Sequence, residues 1–291
     1  MTNVQALASP IPATELIPHR GAMRLIDALT AHAEGEAEVR ATIRADGAFV
    51  DAAGRLDAVA FIEMMAQTTA ALAGFESRLG GAAPRSGLLI AINEVDLRES
   101  AAAGDTLTIA VRRTLAFDSA RFFAGEVKRG SEVLAGGTIR IWETQLRPDD
   151  DNASTEVVAI TPSRDQIVSP VHCGVSAAMR EFGQADGKKA HASFAFPPGF
   201  IGFDGHFPQS PILPGVATLM TGLVVAEQSL GEALRILEVP VAKFPRPVLP
   251  DLEVHTEIEI RERQGDEVRL SVSVRDRHEP VSNFLLLVGR R

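Results

Sequence analysis

Residues 205–215 read GHFPQSPILPG, and an apolar run follows at once. Pro208, Pro211 and Pro214 stiffen the segment, because each fixes its own φ. Gly215, directly after Pro214, opens the predicted helix and leaves unbonded backbone N–H groups at its mouth, where an incoming oxygen can bind. His206 supplies a base within ten residues of that mouth. A base beside an oxyanion site suits proton abstraction next to a carbonyl. A lone histidine in a turn is more often structural, so its setting carries this reading.

The second chemical candidate is a carboxylate. The stretch AVAFIEMMAQTTAALAGF places Glu63 in a predicted helix where, of its helical neighbours, only Gln67 is polar. Ionising a carboxyl among apolar side chains is expensive, which favours the neutral, proton-donating acid that general-acid chemistry needs. A narrow solvent-facing stripe would accommodate the same residue equally well.

Other constellations are missing from the sequence: no Walker-type phosphate loop, no dinucleotide glycine fingerprint, no G-x-S-x-G elbow and no H-E-x-x-H. The seven histidines are scattered along the chain without metal-ligand spacing, and His172 beside the single cysteine, Cys173, is a poor chelate. No metal and no organic cofactor is expected. One cysteine also excludes an intramolecular disulfide and fits a reducing cytoplasm. Net charge is −9, from 29 basic against 38 acidic residues, which argues against nucleic-acid binding. Hydrophobic residues make up 45% and charged residues 23%, the balance of a globular chain with a real core. No apolar run is long enough to span a bilayer, and MTNVQALASPIP has neither the basic region nor the apolar core of an export signal.

These candidates need a scaffold, and 291 residues suit two domains. LRPDDDNASTE, from residue 146, reads as a linker, giving domains at 1–145 and 166–291 with a linker at 146–165. The halves share one order of parts. In the first, GEAEVRATIR alternates as a strand, a turn follows, and a helix runs from Asp57 to about Leu79. Strands are then predicted at LLIAINEVDL, DTLTIAVRRTLAF, RFFAGEVKRG and VLAGGTIRIW. In the second, KAHASFAF is the strand, GFDGHFPQSPILPG the turn, and Val216 to about Leu230 the helix. ILEVPVAKF, LEVHTEIEIRER, EVRLSVSVRDR and SNFLLLVGRR complete it. A long helix followed by antiparallel-type strands, twice over, predicts a duplicated α+β domain whose sheet wraps a central helix.

GHFPQSPILPGV resembles the signature of the β-hydroxyacyl-acyl-carrier-protein dehydratases, the FabA/FabZ-like hotdog family. FIEMMAQ, KFPRPVLPD and LIPHRGAMRLIDAL are similar to that family's helix, later-strand and N-terminal motifs. The likeness covers residues ~14–143 and ~168–291 and is weak over 171–190. The N-terminal half also resembles, more loosely, the partner-type dehydratase-like subunits of aryl-polyene pathways. A double hotdog is implied: two α+β domains forming a pseudo-dimer within one chain.

In the family, each site is built across a dimer, histidine from one hotdog and carboxylate from the other. Aligning the halves here sets Gly47, Ala48 and Phe49 against Gly205, His206 and Phe207, and Glu63 against Met220. Each half alone lacks one group. Carried over, His206 and Glu63 meet in one composite site, while Ala48 and Met220 fall together in an inert one. Asp57 and Ala58 replace Pro214 and Gly215, and Asp57 has the look of a helix N-cap.

The resemblance implies dehydration of a 3-hydroxyacyl thioester. His206 would be the base, Gly215 the oxyanion donor, Glu63 the acid and Gln67 its orienting partner. Phe203, Phe207, Pro208, Ile212, Leu213, Pro214 and Val216 are the candidates for the acyl tunnel. The acyl carrier is an acyl carrier protein or coenzyme A; Lys243 and Arg246 are the carrier-docking candidates. No nucleic-acid or membrane partner is expected, and further association of the pseudo-dimer is left open. A hotdog thioesterase, or a non-catalytic acyl-binding or assembly partner, are the alternative readings. The last predicts that His206 and Glu63 lie far apart.

Overall fold

The computed structural model describes residues 4–81, 85–145, 168–277 and 279–291. The predicted linker at 146–165, and the domain limits drawn from it, lie outside the described residues.

Before the first long helix come β1 (Gln5–Pro12), β2 (Ala28–Ala33) and β3 (Glu36–Thr42), then α1 (Ala60–Leu79). The half is completed by β4 (Arg85–Leu97), β5 (Thr106–Phe117), β6 (Ala120–Arg129) and β7 (Glu132–Gln145). The second half opens with a short helix, α2 (Pro170–Ala178), followed by β8 (Met179–Asp186), β9 (Lys189–Ala195) and α3 (Gly215–Leu230). It closes with β10 (Leu234–Lys243), β11 (Glu253–Gln264), β12 (Glu267–Arg275) and β13 (Pro280–Arg290).

All the described strands join one antiparallel sheet in the order β1-β2-β3-β5-β6-β7-β4-β10-β13-β12-β11-β9-β8. Read outward from the central β4–β10 pair, the order 4-7-6-5-3-2 matches 10-13-12-11-9-8, so the sheet has a pseudo-twofold axis at its middle. Among the described residues, β1 has no counterpart in the second half. Val239 faces Val95 and Ala242 faces Ile92 across the seam. All four are buried, so the two halves meet in a continuous core.

Period-2 patterning places the sheet's inner face. Leu107, Ile109 and Val111 of β5, and Val268, Leu270, Val272 and Val274 of β12, all point inward and are buried. That face wraps two helices too apolar to be surface helices. In α1, Phe61, Ile62, Met64, Met65 and Leu72 are fully buried; in α3, Val216, Leu219, Met220 and Val225 are. Each such side chain contributes about 1.5–3 kcal/mol of transfer free energy. The fold is therefore an α+β double hotdog. No described helix is long and apolar enough to cross a membrane.

Candidate active site

The proline-rich turn holds His206 from two directions. The His206 N–H donates to the Phe203 carbonyl (3.1 Å), and the Ile212 N–H donates to the His206 carbonyl (3.0 Å). Its ring Nδ1 lies 2.8 Å from the Ile212 carbonyl oxygen. A carbonyl only accepts, so Nδ1 carries the proton and Nε2 presents its lone pair outward.

That lone pair looks toward α1. His206 Nε2 is 4.0 Å from Glu63 Oε1, and both side chains are buried. One helical turn beyond, the Gln67 amide donates to Glu63 Oε1 (2.9 Å) and to the Met23 carbonyl (2.6 Å). Gln67 Oε1 in turn accepts from the Leu25 N–H (2.9 Å), which fixes which way the amide points. Glu63 is thus no solvent-facing stripe: the helix buries it, and Gln67 braces it against the N-terminal segment.

A third group, assigned no role from sequence, completes the cluster. His19 Nε2 lies 3.6 Å from Glu63 Oε1. The His19 ring packs 5.3 Å from that of His206 and 4.9 Å from Phe207. Burial holds the His19 imidazole well below its ordinary value, with His206 and Arg20 adding to the effect, so it is neutral at pH 7. The contact with Glu63 is accordingly between an uncharged ring and a carboxyl, not an ion pair. His19 sits inside the LIPHRGAMRLIDAL motif, but nothing local indicates that residue 19 meets residue 206. The signal lies in two distant glycines. Gly205 has φ +86°, and a Cβ there would run into the Arg20 carbonyl; Gly21 has φ +51°, and a Cβ there would strike the Asp204 carboxylate. The segments touch backbone to backbone: the Arg20 N–H donates to the Gly205 carbonyl (3.1 Å), and the Met23 N–H to that of Asp204 (3.1 Å).

Behind the cluster opens a cavity of about 650 Å³, lined by both halves of the chain. Phe207, Ile212, Leu213 and Gly215 are on its wall, with Thr69, Ala73 and Leu89 of the first half. Gly215 opens α3 after Pro214, and the helix's first-turn bonds run from Ala217 and Thr218 to Pro214, so the Gly215 N–H makes no helix bond. Four expected tunnel residues lie elsewhere. Phe203 turns into an aromatic cluster, 5.7 Å from Phe200. Pro208 is exposed, while Pro214 and Val216 are buried off the wall. Strand alternation supplies walls that the turn could not reveal: Phe123 and Ile141 line the same cavity. Lys243 and Arg246 both stand on its rim. Arg246 is already clamped by Asp276 and Glu279, each at 2.8 Å. Lys243 is exposed and has no ion pair among the described residues.

The pseudo-symmetric location is filled. Ala48 and Met220 are buried at 1% and 0% exposure. α2 packs on α3, and the Val171 N–H donates to the Ala48 carbonyl (2.9 Å). Its His172 Nε2 binds Glu227 Oε2 at 2.8 Å, and Nδ1 lies 3.4 Å from Arg291 Nη2. Asp57, expected as an N-cap, makes only a loose cap-type bond ahead of the helix, whose N-cap position is Val59. Its Oδ1 lies 3.5 Å from the Val59 N–H, α1 begins only at Ala60, and its Oδ2 is buried 3.7 Å from Arg291. Burial pushes the Asp57 carboxyl up, and Arg291 and His172 offset this only in part.

Comparison with known proteins assigns each half separately. The family described as ApeP dehydratase matches residues 11–154, and that described as ApeI dehydratase matches residues 183–283. Among curated proteins, the 3-hydroxyacyl-[acyl-carrier-protein] dehydratase FabZ of Proteus mirabilis is 40% identical over 73 residues, 22% of this chain and 49% of the relative. That of Anaeromyxobacter sp. is 29% identical over 73 residues, covering 22% of this chain and 47% of the relative. The chain spans about half the length of the curated relatives it matches. Among solved structures, a putative oleoyl thioesterase from Lactobacillus plantarum has a TM-score of 0.58 at 12% identity, covering 88% of this chain and 96% of its own. The dehydratase domain from the CurK module of curacin polyketide synthase has a TM-score of 0.52 at 11% identity, covering 95% and 98%. At such identities these structures share the double-hotdog fold.

Proposed function

Because its halves carry ApeP-like and ApeI-like dehydratase domains, the chain belongs to the FabA/FabZ-like hotdog dehydratases as a fused pair, and we propose that it dehydrates a 3-hydroxyacyl thioester at one composite site. The observation that carries the reading is the pairing of His206 with Glu63 at 4.0 Å, contributed by opposite halves, beside an apolar cavity open to both.

The reaction runs on these two groups and one backbone N–H. The Ile212 carbonyl holds the His206 proton on Nδ1, so Nε2 is free to take the proton from the substrate carbon next to the thioester carbonyl. Negative charge moves onto the thioester oxygen, where the Gly215 N–H and the α3 N-terminus stabilise it. Glu63, in its protonated form, gives its proton to the departing hydroxyl; Gln67 donates to Oε1, so the acid proton belongs on Oε2. The C–H and C–O bonds break, a trans-2 double bond forms and water leaves. Transfer of a proton from His206 to Glu63 resets the site, and the reverse sequence hydrates an enoyl thioester. At 4.0 Å the two groups are too close for a carbon to sit between them, so the substrate would lie alongside both on the cavity side, its α-carbon at His206 Nε2 and its hydroxyl at Glu63.

An acyl carrier protein fits the exposed Lys243 on the cavity rim, since such carriers are acidic; coenzyme A thioesters fit the same chemistry. The test is incubation of purified protein with 3-hydroxyacyl and trans-2-enoyl thioesters on both carriers. Interconversion without free thiol is expected. Release of free thiol selects a thioesterase, and no turnover of any thioester leaves an acyl-binding partner.

A further inference from the structure

We propose that His19, His206 and Glu63 together bind a divalent transition-metal ion of the zinc type, and that the bound ion blocks the site instead of serving its reaction. The two imidazole nitrogens and the carboxylate oxygen lie within 4.8 Å of one another, and all three residues are buried. Four ligands around zinc, at bonds of about 2.0–2.1 Å, stand roughly 3.4 Å apart. The observed 3.6 Å and 4.0 Å from the histidines to Glu63 need only small side-chain adjustments to reach that geometry.

Further observations favour an ion over a hydrogen-bonded cluster. Neither histidine is within hydrogen-bond distance of Glu63, so three buried polar groups converge without bonding one another across the gap. His206 already makes the contact that metal-bound histidines use, with its other nitrogen donating to a backbone carbonyl. Glu63 is likewise braced by Gln67. Two imidazoles and one carboxylate suit zinc, cobalt or nickel ahead of magnesium or calcium. The cavity supplies an open fourth position. Sequence spacing hides this set, because the three residues come from three separate segments.

Binding rests on this geometry alone, whereas the blocking effect rests also on the dehydration reading, because the ion occupies the lone pair of His206 and the oxygen of Glu63. Metal-free protein titrated with Co²⁺ is expected to bind one equivalent with the visible spectrum of a four-coordinate ion, displaceable by Zn²⁺. X-ray absorption of zinc-loaded wild type is expected to show two imidazoles with oxygen ligands and no sulfur. His19→Ala and His206→Ala, checked for native circular dichroism, are expected to weaken binding at least tenfold. Zn²⁺ is expected to inhibit dehydration competitively with the thioester, reversibly on chelation. The site is overturned if binding is not saturable at one equivalent, if sulfur from Cys173 appears, or if both variants bind like wild type. Blocking is overturned if metal-free and zinc-loaded protein dehydrate at equal rates. One-to-one cobalt binding by a protein that dehydrates nothing would sustain the site and refute the dehydratase reading.

Discussion

The two pseudo-symmetric locations at the helix N-termini began from one plan and resolve it in opposite ways. At the first, three buried polar groups face a cavity and leave bonding capacity unused: the His206 lone pair, His19 Nδ1 and the Glu63 carboxyl. At the second, the histidine of α2 is engaged on both nitrogens, by Glu227 and Arg291, and Glu227 also accepts from the Leu234 N–H (2.9 Å). Ala48 and Met220 complete an apolar plug. An unsatisfied buried polar group costs stability, and the second location keeps one of its own, since Asp57 Oδ2 is buried without a hydrogen bond. The difference is one of access: the polar groups of the first location line the cavity, whereas those of the second are packed beneath α2.

The largest effect expected is on the first location. His206→Ala and Glu63→Gln should each lower dehydration by about 10²–10⁴-fold, as the loss of a positioned base or acid does. Their double variant should be scarcely slower than the worse single one, because the groups act as a unit. Full rate in either single variant would remove that residue from the mechanism. Next in size is the attempt to rebuild the second location. Met220→Glu places an unpaired carboxylate in a filled core and should cost roughly 3–5 kcal/mol in urea unfolding. The same change combined with Ala48→His should add no turnover to a His206→Ala background. Activity there would mean the plug is not closed.

A smaller effect tests the plug's electrostatics. Asp57 is raised in the folded state, so the folded protein holds the proton more firmly than the unfolded chain does. Stability from this group is present below the ordinary carboxylate value, near 3.9, and is lost as pH rises through the folded value. Asp57→Asn should flatten that decline in a series of unfolding curves across acid pH. An unchanged slope would show that Arg291 neutralises the group in full. The smallest effect belongs to the rim: Lys243→Ala should raise KM several-fold for carrier-protein substrates alone, and less so at high salt. An equal change with coenzyme A substrates would argue against docking. Arg246→Ala should do less, because its charge is already held by Asp276 and Glu279.

Most of the scaffold was legible because burial leaves a periodic trace. The strands from LLIAINEVDL onward in the first half and from ILEVPVAKF onward in the second alternate clearly, and α1 and α3 match their predicted extents within a few residues. β1 and β2 escaped because QALASPIP and ALTAHA carry few large apolar residues, and β1 is an edge strand with mostly exposed side chains. α2 was not anticipated, because its nine residues are too few to show a face; the structure caps it with Ser169, followed by Pro170 in its first turn. Complementary losses between the halves pointed to the pairing of His206 with Glu63. His19 was invisible because its partners arrive through a backbone contact, which leaves only glycines in the sequence. The tunnel walls on β6 and β7 were hidden for a related reason: sheet curvature decides which inward residues face the cavity and which face a helix.

The Arg20–Gly205 and Met23–Asp204 backbone bonds run between halves that, in a two-chain assembly, would have to find each other. Here the halves that carry Glu63 and His206 are made in strict one-to-one ratio and stay at an effective concentration set by the chain itself. Specific activity should therefore not fall on dilution, and no excess of one half can titrate the other into unproductive pairs. Because the covalent link holds the halves together, they need not be interchangeable, as Ala48 and Met220 opposite His206 and Glu63 illustrate.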